Sequence, residues 1–497
     1  MTCGVRQRSV RDGLHTGVSV AFCVVLAGFS GLITPRLAAS QAPAAISSDI
    51  IFVQATQITE DANGLSFPEG SRIVRLAGNR KLTSGQPVSL TEGFFAAADP
   101  QISFDASKVL FSGKKNGSEP WQIWEMQADG NGKRQITNCT EDCRLAAYLP
   151  GEEIIFTVSG DRAKGESSYL AVAKMDGSQI RRVTFGPGDW RLETVLRDGR
   201  IVASASWPLT VSNEPSKNRL LYTLRPDGSA LDALRCDHQG TAMRGEAAEL
   251  QDGTIVYVKN SSATRINGRL TEIQKGEVHE RSVGFVSGGL RFPHELADGR
   301  LIVAHRGIAA GGNEKFDLYV FDLQKNIIGE KIYSDAHLNS LQAIPVLAHV
   351  VPKKFWSTLS AESKSGYFIA LDSYASGEEA SGRIDIPIAS VRVWTLPVGS
   401  TKEEILGEAP VEKDGSFYVE VAANQPVRFE LLNANGSVIR SEHSWIWSRP
   451  GEQRGCAGCH SDKAVAPENR WPMTLKRFDT PTRFGQNQRA SRDVHAD

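Results

Sequence analysis

Two thiols and an imidazole share one short run, Cys456-Ala457-Gly458-Cys459-His460. C-x-x-C-H is the spacing of c-type haem attachment. Thiols three positions apart add across the two vinyl groups of one porphyrin, and the adjacent imidazole reaches under the ring to bind iron. His460 is therefore the expected proximal ligand, with its neutral nitrogen as donor. A zinc knuckle would need a second ligand pair at similar spacing, and the chain has no second C-x-x-C. A thioredoxin-like dithiol would follow a strand in a βαβ context, which the surroundings lack. The sixth ligand decides what a haem does. His294 and His238 are the leading candidates for the distal side, from a pool that also holds His305, His337, His443 and Met473. The plain alternative for each histidine is a surface or packing role. Arg454 and Arg470 are candidates for pairing with haem propionates, against the reading that they are ordinary solvated arginines. Cys236-Asp237-His238 is a further thiolate–imidazole pair for a metal, beside the simpler reading of Cys236 as a buried thiol.

Covalent haem is assembled outside the bacterial cytoplasm, so this reading demands export. The N-terminus agrees with it. Arg6, Arg8 and Arg11 form a positive stretch, Val18 to Phe29 is an apolar run too short for a comfortable span, and Leu37-Ala-Ala-Ser-Gln-Ala42 supplies small residues for cleavage. Residues 1–40 thus read as a signal peptide, with no membrane span after its removal and a periplasmic or otherwise exported location. Cys139 and Cys143 are close enough to form a small loop disulfide, which that compartment permits. With 56 Lys and Arg against 57 Asp and Glu, and no basic stripe, nucleic acid is an improbable partner.

Something must position the haem motif. An internal repeat occupies most of the chain before it. Ile102–Ser112, Ala147–Thr157, Thr194–Ser204, Glu249–Val258 and Glu295–His305 each read as strand, tight turn, β-branched strand. Asp-Gly or a close variant fills most of the turns, where a hairpin needs positive φ. Gly151, Gly199, Gly253 and Gly299 are spaced by 48, 54 and 46 residues, a period of four-stranded propeller blades. The second halves agree: Trp121–Met126, Tyr169–Met175 and Leu220–Leu224 each run into a further Asp-Gly, and Phe316–Phe321 ends the fifth copy. "Strand, x-D-G, strand, x-x-x-T" resembles the TolB-type repeat. Two remaining pieces, Asp49 to Thr91 and Ala343 to Tyr374, are expected to make a sixth blade from both ends of the chain, which removes open sheet edges. The predicted architecture is all-β: a six-bladed propeller over 45–381, a small β-sandwich over 382–444, a haem c-binding segment over 445–485 and a frayed tail over 486–497.

Leu406-Gly-Glu-Ala-Pro-Val411 with Asp414-Gly-Ser-Phe417, Pro450-Gly-Glu452, Gly455-Cys-x-Gly-Cys-His460 and Ala466-Pro-Glu-Asn-Arg470 resemble the hydrazine synthase alpha subunit middle-domain family. Together with the propeller, the resemblance spans nearly the whole chain after the leader. It implies one covalent haem c seated on a propeller in an exported protein, and leaves the reaction open. Three functions fit. The first is a monohaem cytochrome passing single electrons to a redox partner protein. The second is a haem enzyme acting on a small, nitrogenous molecule. The third is a propeller binding module with a structural or sensor haem. The first is the reading adopted from sequence. The haem segment is further expected to fold over the mouth of the propeller channel, where docking would bury apolar porphyrin surface.

Overall fold

The computed structural model describes residues 46–61, 64–78, 85–161, 166–207, 218–234, 242–261, 267–275, 277, 279–284, 286–307, 315–376, 381–397, 400, 402–442, 444–458 and 468–484. The hairpins expected from the repeat pair antiparallel in sequence order. Blade 1 runs from Ala96–Ile102 outward to Arg134–Gln135, and blade 2 from Cys143–Leu149 to Arg181–Arg182. Blade 3 runs from Asp189–Val195 to Asp232–Ala233, blade 4 from Ala242–Glu249 to Arg281–Ser282, and blade 5 from Gly289–Glu295 to Ile327–Tyr333. Blade 6 closes the ring in the order Asn339–Pro345, Ile50–Ala55, Arg72–Leu76, Val88–Ser89. Five of the six outermost strands, in blades 1 to 4 and in blade 6, are two residues long, which leaves little edge for another chain to pair with. Cys139 and Cys143 form a disulfide where blade 1 passes into blade 2.

The sixth blade differs from expectation in its C-terminal contribution. Only Asn339–Pro345 joins it. Ser365–Ala370, which contains the Tyr367-Phe-Ile-Ala run, pairs instead with Phe417–Ala422 in register Ser365↔Ala422 to Ala370↔Phe417. With four strands already in blade 6, its sheet is complete before this segment arrives. Between the two, residues 346–364 cross the propeller face that carries the first hairpin turns. His349 N–H donates to Phe104 O at 2.9 Å, Lys353 N–H to Arg197 O at 3.0 Å, and Ser360 N–H to Pro450 O at 3.0 Å. Gly199 shows why glycine stands in one such turn: its φ is +88°, and a Cβ there would lie 2.0 Å from Lys353 O.

The sandwich is two four-stranded sheets. One orders Glu404–Pro410, Ser390–Thr395, Val427–Leu432 and Val438–Ser441. The other orders Gln453–Cys456, Ser365–Ala370, Phe417–Ala422 and Thr482–Arg483. Phe368, Val391, Val393, Val419, Val427 and Leu431 fill the space between them. The second sheet thus takes one strand from before the expected sandwich and both edge strands from the expected haem segment. Those edges, Gln453–Cys456 and Thr482–Arg483, pair parallel to their neighbours. The segment is therefore woven into the sandwich. Among the described residues, no helix is long and apolar enough to cross a membrane.

Candidate functional site

Cys456 is the last residue of an edge strand, opposite Ala370. Its carbonyl accepts the Leu371 N–H at 2.9 Å, so the backbone ladder fixes where the thiol begins. The strand is anchored upstream. Trp445 and Trp447 are buried with Trp190, Trp207 and Tyr222 of blade 3. The Trp447 indole donates to Gly228 O at 3.0 Å. Glu452 accepts Ala230 N–H and Arg449 N–H, both at 2.7 Å, and so clasps the sandwich to the same blade. Burial pushes the Cys456 thiol pKa up, with Glu442 and Asp232 adding to the rise and the Arg454 cation opposing it.

The chain beyond the motif returns to the same corner. Arg470 pairs with Asp372 at 3.0 Å and donates to Asp414 O at 2.7 Å. Met473 N–H donates to the Asp414 carboxylate at 2.8 Å, and Thr474 N–H to Ser416 Oγ at 3.0 Å. The adjacent residues Leu371 and Asp372 therefore hold the two ends of the C-x-x-C-H loop, one through Cys456 and the other through Arg470. Cys459 and His460 lie outside the described residues.

The surroundings of Cys456 fit a covalent haem. The half-buried thiol borders the apolar sandwich core. A Cβ on Gly455 would meet nothing within 4 Å, so the strand face opposite the Cys456 thiol is open. The donor set, two thiols with a following imidazole, is the one that thioether attachment and iron ligation require.

The candidate arginines are otherwise engaged. Arg454 donates to Trp447 O at 2.6 Å and also to Leu231 O, stitching the strand to blade 3. Arg470 serves the loop's return. Cys236 and His238 lie outside the described residues. Reading by residue type missed Asp372, Asp414 and Glu452 as supports, although Asp414-Gly-Ser carried a turn signature.

Among the described residues, no part of the haem segment reaches His294 or lines the channel. The sandwich docks on the flank of blades 2 and 3, against the Val183–Gly186 linker and all four strands of blade 3, Trp190 of its innermost strand included. Cys456 feels the charge of Asp232, which is on the outermost strand of blade 3. That strand is three spacings, roughly 14 Å, from the channel wall. His294 is on the innermost strand of blade 5 and lines the channel, with no sandwich residue among its lining. The large indole cluster around Trp445 and Trp447 is what draws the sandwich to the flank. Desolvation, with a smaller contribution from the nearby His349, lowers the His294 pKa to about 4.

The channel has its own order. Every innermost strand breaks register at one level: Ala98/Gln101, Arg144/Ala147, Leu192/Thr194, Gly245/Ala248, Arg291/His294, and in blade 6 where Ile51 and Val53 meet Ile344 and Leu341. Asp99, Leu145, Glu246, Phe292 and Gln342 take left-handed backbone there. These bulges re-aim polar groups between blades. Gln342 accepts Asp99 N–H at 2.9 Å, Glu193 accepts Glu246 N–H, and Glu246 accepts Phe292 N–H at 2.9 Å.

Comparison with known proteins bears on both regions. The profile described as "Hydrazine synthase alpha subunit middle domain" matches residues 373–461, a stretch that includes Cys456, Cys459 and His460. The chain resembles the hydrazine synthase alpha subunit. Hydrazine synthase subunit alpha of Kuenenia stuttgartiensis is 22% identical, over 88% of this chain and 70% of that protein. The solved hydrazine synthase of the same organism superposes with a TM-score of 0.72 at 21% identity, covering 86% of this chain and 71% of that one. At that identity the superposition speaks for the fold. TolB from Acinetobacter baumannii aligns over 62% of this chain and 67% of its own, with a TM-score of 0.44 and 13% identity.

Proposed function

We propose that this is an exported monohaem c-type cytochrome. The haem is held through Cys456 and Cys459, with His460 as the proximal iron ligand, and passes single electrons to a redox partner protein. The haem supplies the one-electron chemistry. This chain's residues fix where it sits. The observation that carries the reading is the pinning of both ends of the C-x-x-C-H loop at Leu371 and Asp372, on a sandwich edge outside the propeller ring. A rigid mount near the surface suits electron exchange with a docked partner. An enclosed chamber would suit substrate chemistry better. Export follows from the chemistry of haem attachment and from the composition of residues 1–40, which lie outside the described residues.

A second reading has one specific observation behind it. The 22% identical relative bears the name hydrazine synthase subunit alpha, so a haem enzyme acting on a small nitrogenous molecule is the rival. Optical spectra of the purified protein, ferric and ferrous, with and without carbon monoxide, separate the two. A six-coordinate, low-spin spectrum indifferent to carbon monoxide is expected. A high-spin spectrum that shifts on carbon monoxide would replace electron transfer with the enzyme reading.

A further inference from the structure

The channel cavity, about 100 Å³, draws its polar lining from several blades: Asp99, Arg191, Glu193, Glu246, His294 and Gln342. Three arginines on innermost strands can be compared. Arg144 of blade 2 grips Asp99 of blade 1 at 3.0 Å. Arg291 of blade 5 grips Glu246 of blade 4. Arg191 of blade 3 makes no such ion pair among the described residues, although the Glu193 carboxyl lies close enough to feel its charge. Its Nε is shut off from solvent, yet among the described residues no acceptor bonds it. Glu193, two residues along, has its oxygens turned to the Ser204 hydroxyl and the Glu246 N–H. A buried guanidinium N–H left without a partner is costly, and a ligand that supplies an acceptor recovers that cost.

We propose that the propeller channel binds a small planar oxyanion of the carboxylate class, with the Arg191 guanidinium as its principal donor. Size and charge both support this. The cavity has room for more than one water or for a ligand of a few heavy atoms. The Arg144–Asp99 and Arg291–Glu246 pairs each cancel. Burial pushes the Glu193 carboxyl up against the opposing pull of the Arg191 cation, and the Arg191 Nε still has no acceptor among the described residues. A guanidinium presents parallel N–H groups that match the two oxygens of a carboxylate. His294, held neutral, adds a ring nitrogen to the wall without adding charge.

The test titrates sodium acetate into the full-length, haem-loaded protein at constant ionic strength, following heat and the midpoint of thermal unfolding. Wild type should bind saturably and gain thermal stability. Arg191→Gln should weaken binding at least tenfold. Arg191→Lys keeps the charge but loses the fork, and should weaken it about tenfold. Arg200→Gln, in an exposed hairpin turn, should bind as wild type does. The haem absorption spectrum should not change on adding acetate. The proposal is overturned by absence of saturable heat in wild type, which would mean that water alone fills the channel. Unchanged affinity in Arg191→Lys also overturns it, and that variant carries the test should Arg191→Gln fail to fold. An acetate-induced spectral shift that survives Arg191→Gln would place the anion at the iron and overturn it as well.

Discussion

The propeller and the sandwich both have to dispose of sheet edges, and they do so by opposite means. The propeller repeats one antiparallel unit and closes on itself, so that Ile50–Ala55 is flanked by Asn339–Pro345. The sandwich borrows: its second sheet is finished on both sides by parallel strands from the chain around the haem motif. The first solution is local, with most pairings between consecutive strands. The second is long-range, and it makes the haem mount part of the fold that supports it. A repeat can be extended without regard to chemistry. A borrowed edge ties chemistry to stability.

The largest expected effect falls on the borrowed edge. Cys456→Ser with Cys459→Ser should abolish covalent haem, read as loss of peroxidase stain on a denaturing gel and loss of one haem by mass. Extraction of the wild-type haem into acid acetone would show that the thiols do not hold it. His460→Ala should alter the ferric spectrum or impair loading. An unaltered spectrum in fully loaded protein would assign the iron to another residue.

Next come the contacts that distinguish the two regions. Trp447→Ala empties a fully buried site between Phe185 and Trp190 and removes the bond to Gly228. Denaturant unfolding should show a loss of about 3–5 kcal/mol. The transition should also split, as the sandwich parts from blades 2 and 3 first. A single, unshifted transition would mean that this contact does not join them. Within the propeller, Asp99→Ala leaves the half-buried Arg144 without its carboxylate, keeping only its bond to Leu65 O and its aromatic contacts, and a loss of about 3 kcal/mol is expected. Burial alone would raise the Asp99 pKa, but Arg144 together with Gln342 and Ser112 outweighs it and holds the carboxyl below its usual range. Its contribution is therefore fully present above the unfolded pKa near 4 and fades as pH falls through the lower folded value. Asp99→Asn should flatten the acid limb of the stability curve below about pH 4.

The smallest effect is the sharpest on geometry. Because His294 lines the channel, His294→Ala should leave the haem spectrum unchanged. A low-spin spectrum turning high-spin would restore it as the distal ligand. Its folded pKa of about 4 lies below the ordinary value of 6.5. The stability it contributes is present above pH 6.5 and is lost as pH falls toward 4. His294→Gln should remove that slope.

The propeller was legible because its signal is periodic. The turn glycines Gly151, Gly199, Gly253 and Gly299 all adopt the positive φ that the repeat demanded. What misled was the sixth blade's end: Tyr367-Phe-Ile-Ala alternates as any half-buried strand does, and alternation does not name the sheet it joins. The parallel pairing of Gln453–Cys456 leaves no short-range signature either, since no hairpin links it to its neighbour. The channel bulges were invisible for a related reason. Asp99, Glu246 and Gln342 share a backbone conformation rather than a residue type. The C-x-x-C-H motif itself could be read directly. Its supports at Asp372, Asp414 and Glu452 could not, because their meaning depends on which distant backbone amides they meet.

The ring closure at Ile50 and Pro345 sets an order of events. Until position 345 has been made, Ile50–Ala55, the first of the described strands, has one side unpaired and five blades stand as an open arc. Contacts of such sequence separation form late, because a long loop must close first. During that interval a second copy of the chain could offer its own Asn339–Pro345 to the waiting strand, exchanging identical elements between molecules. Dilution during refolding should therefore favour monomer, and crowding should favour linked rings that are slow to come apart.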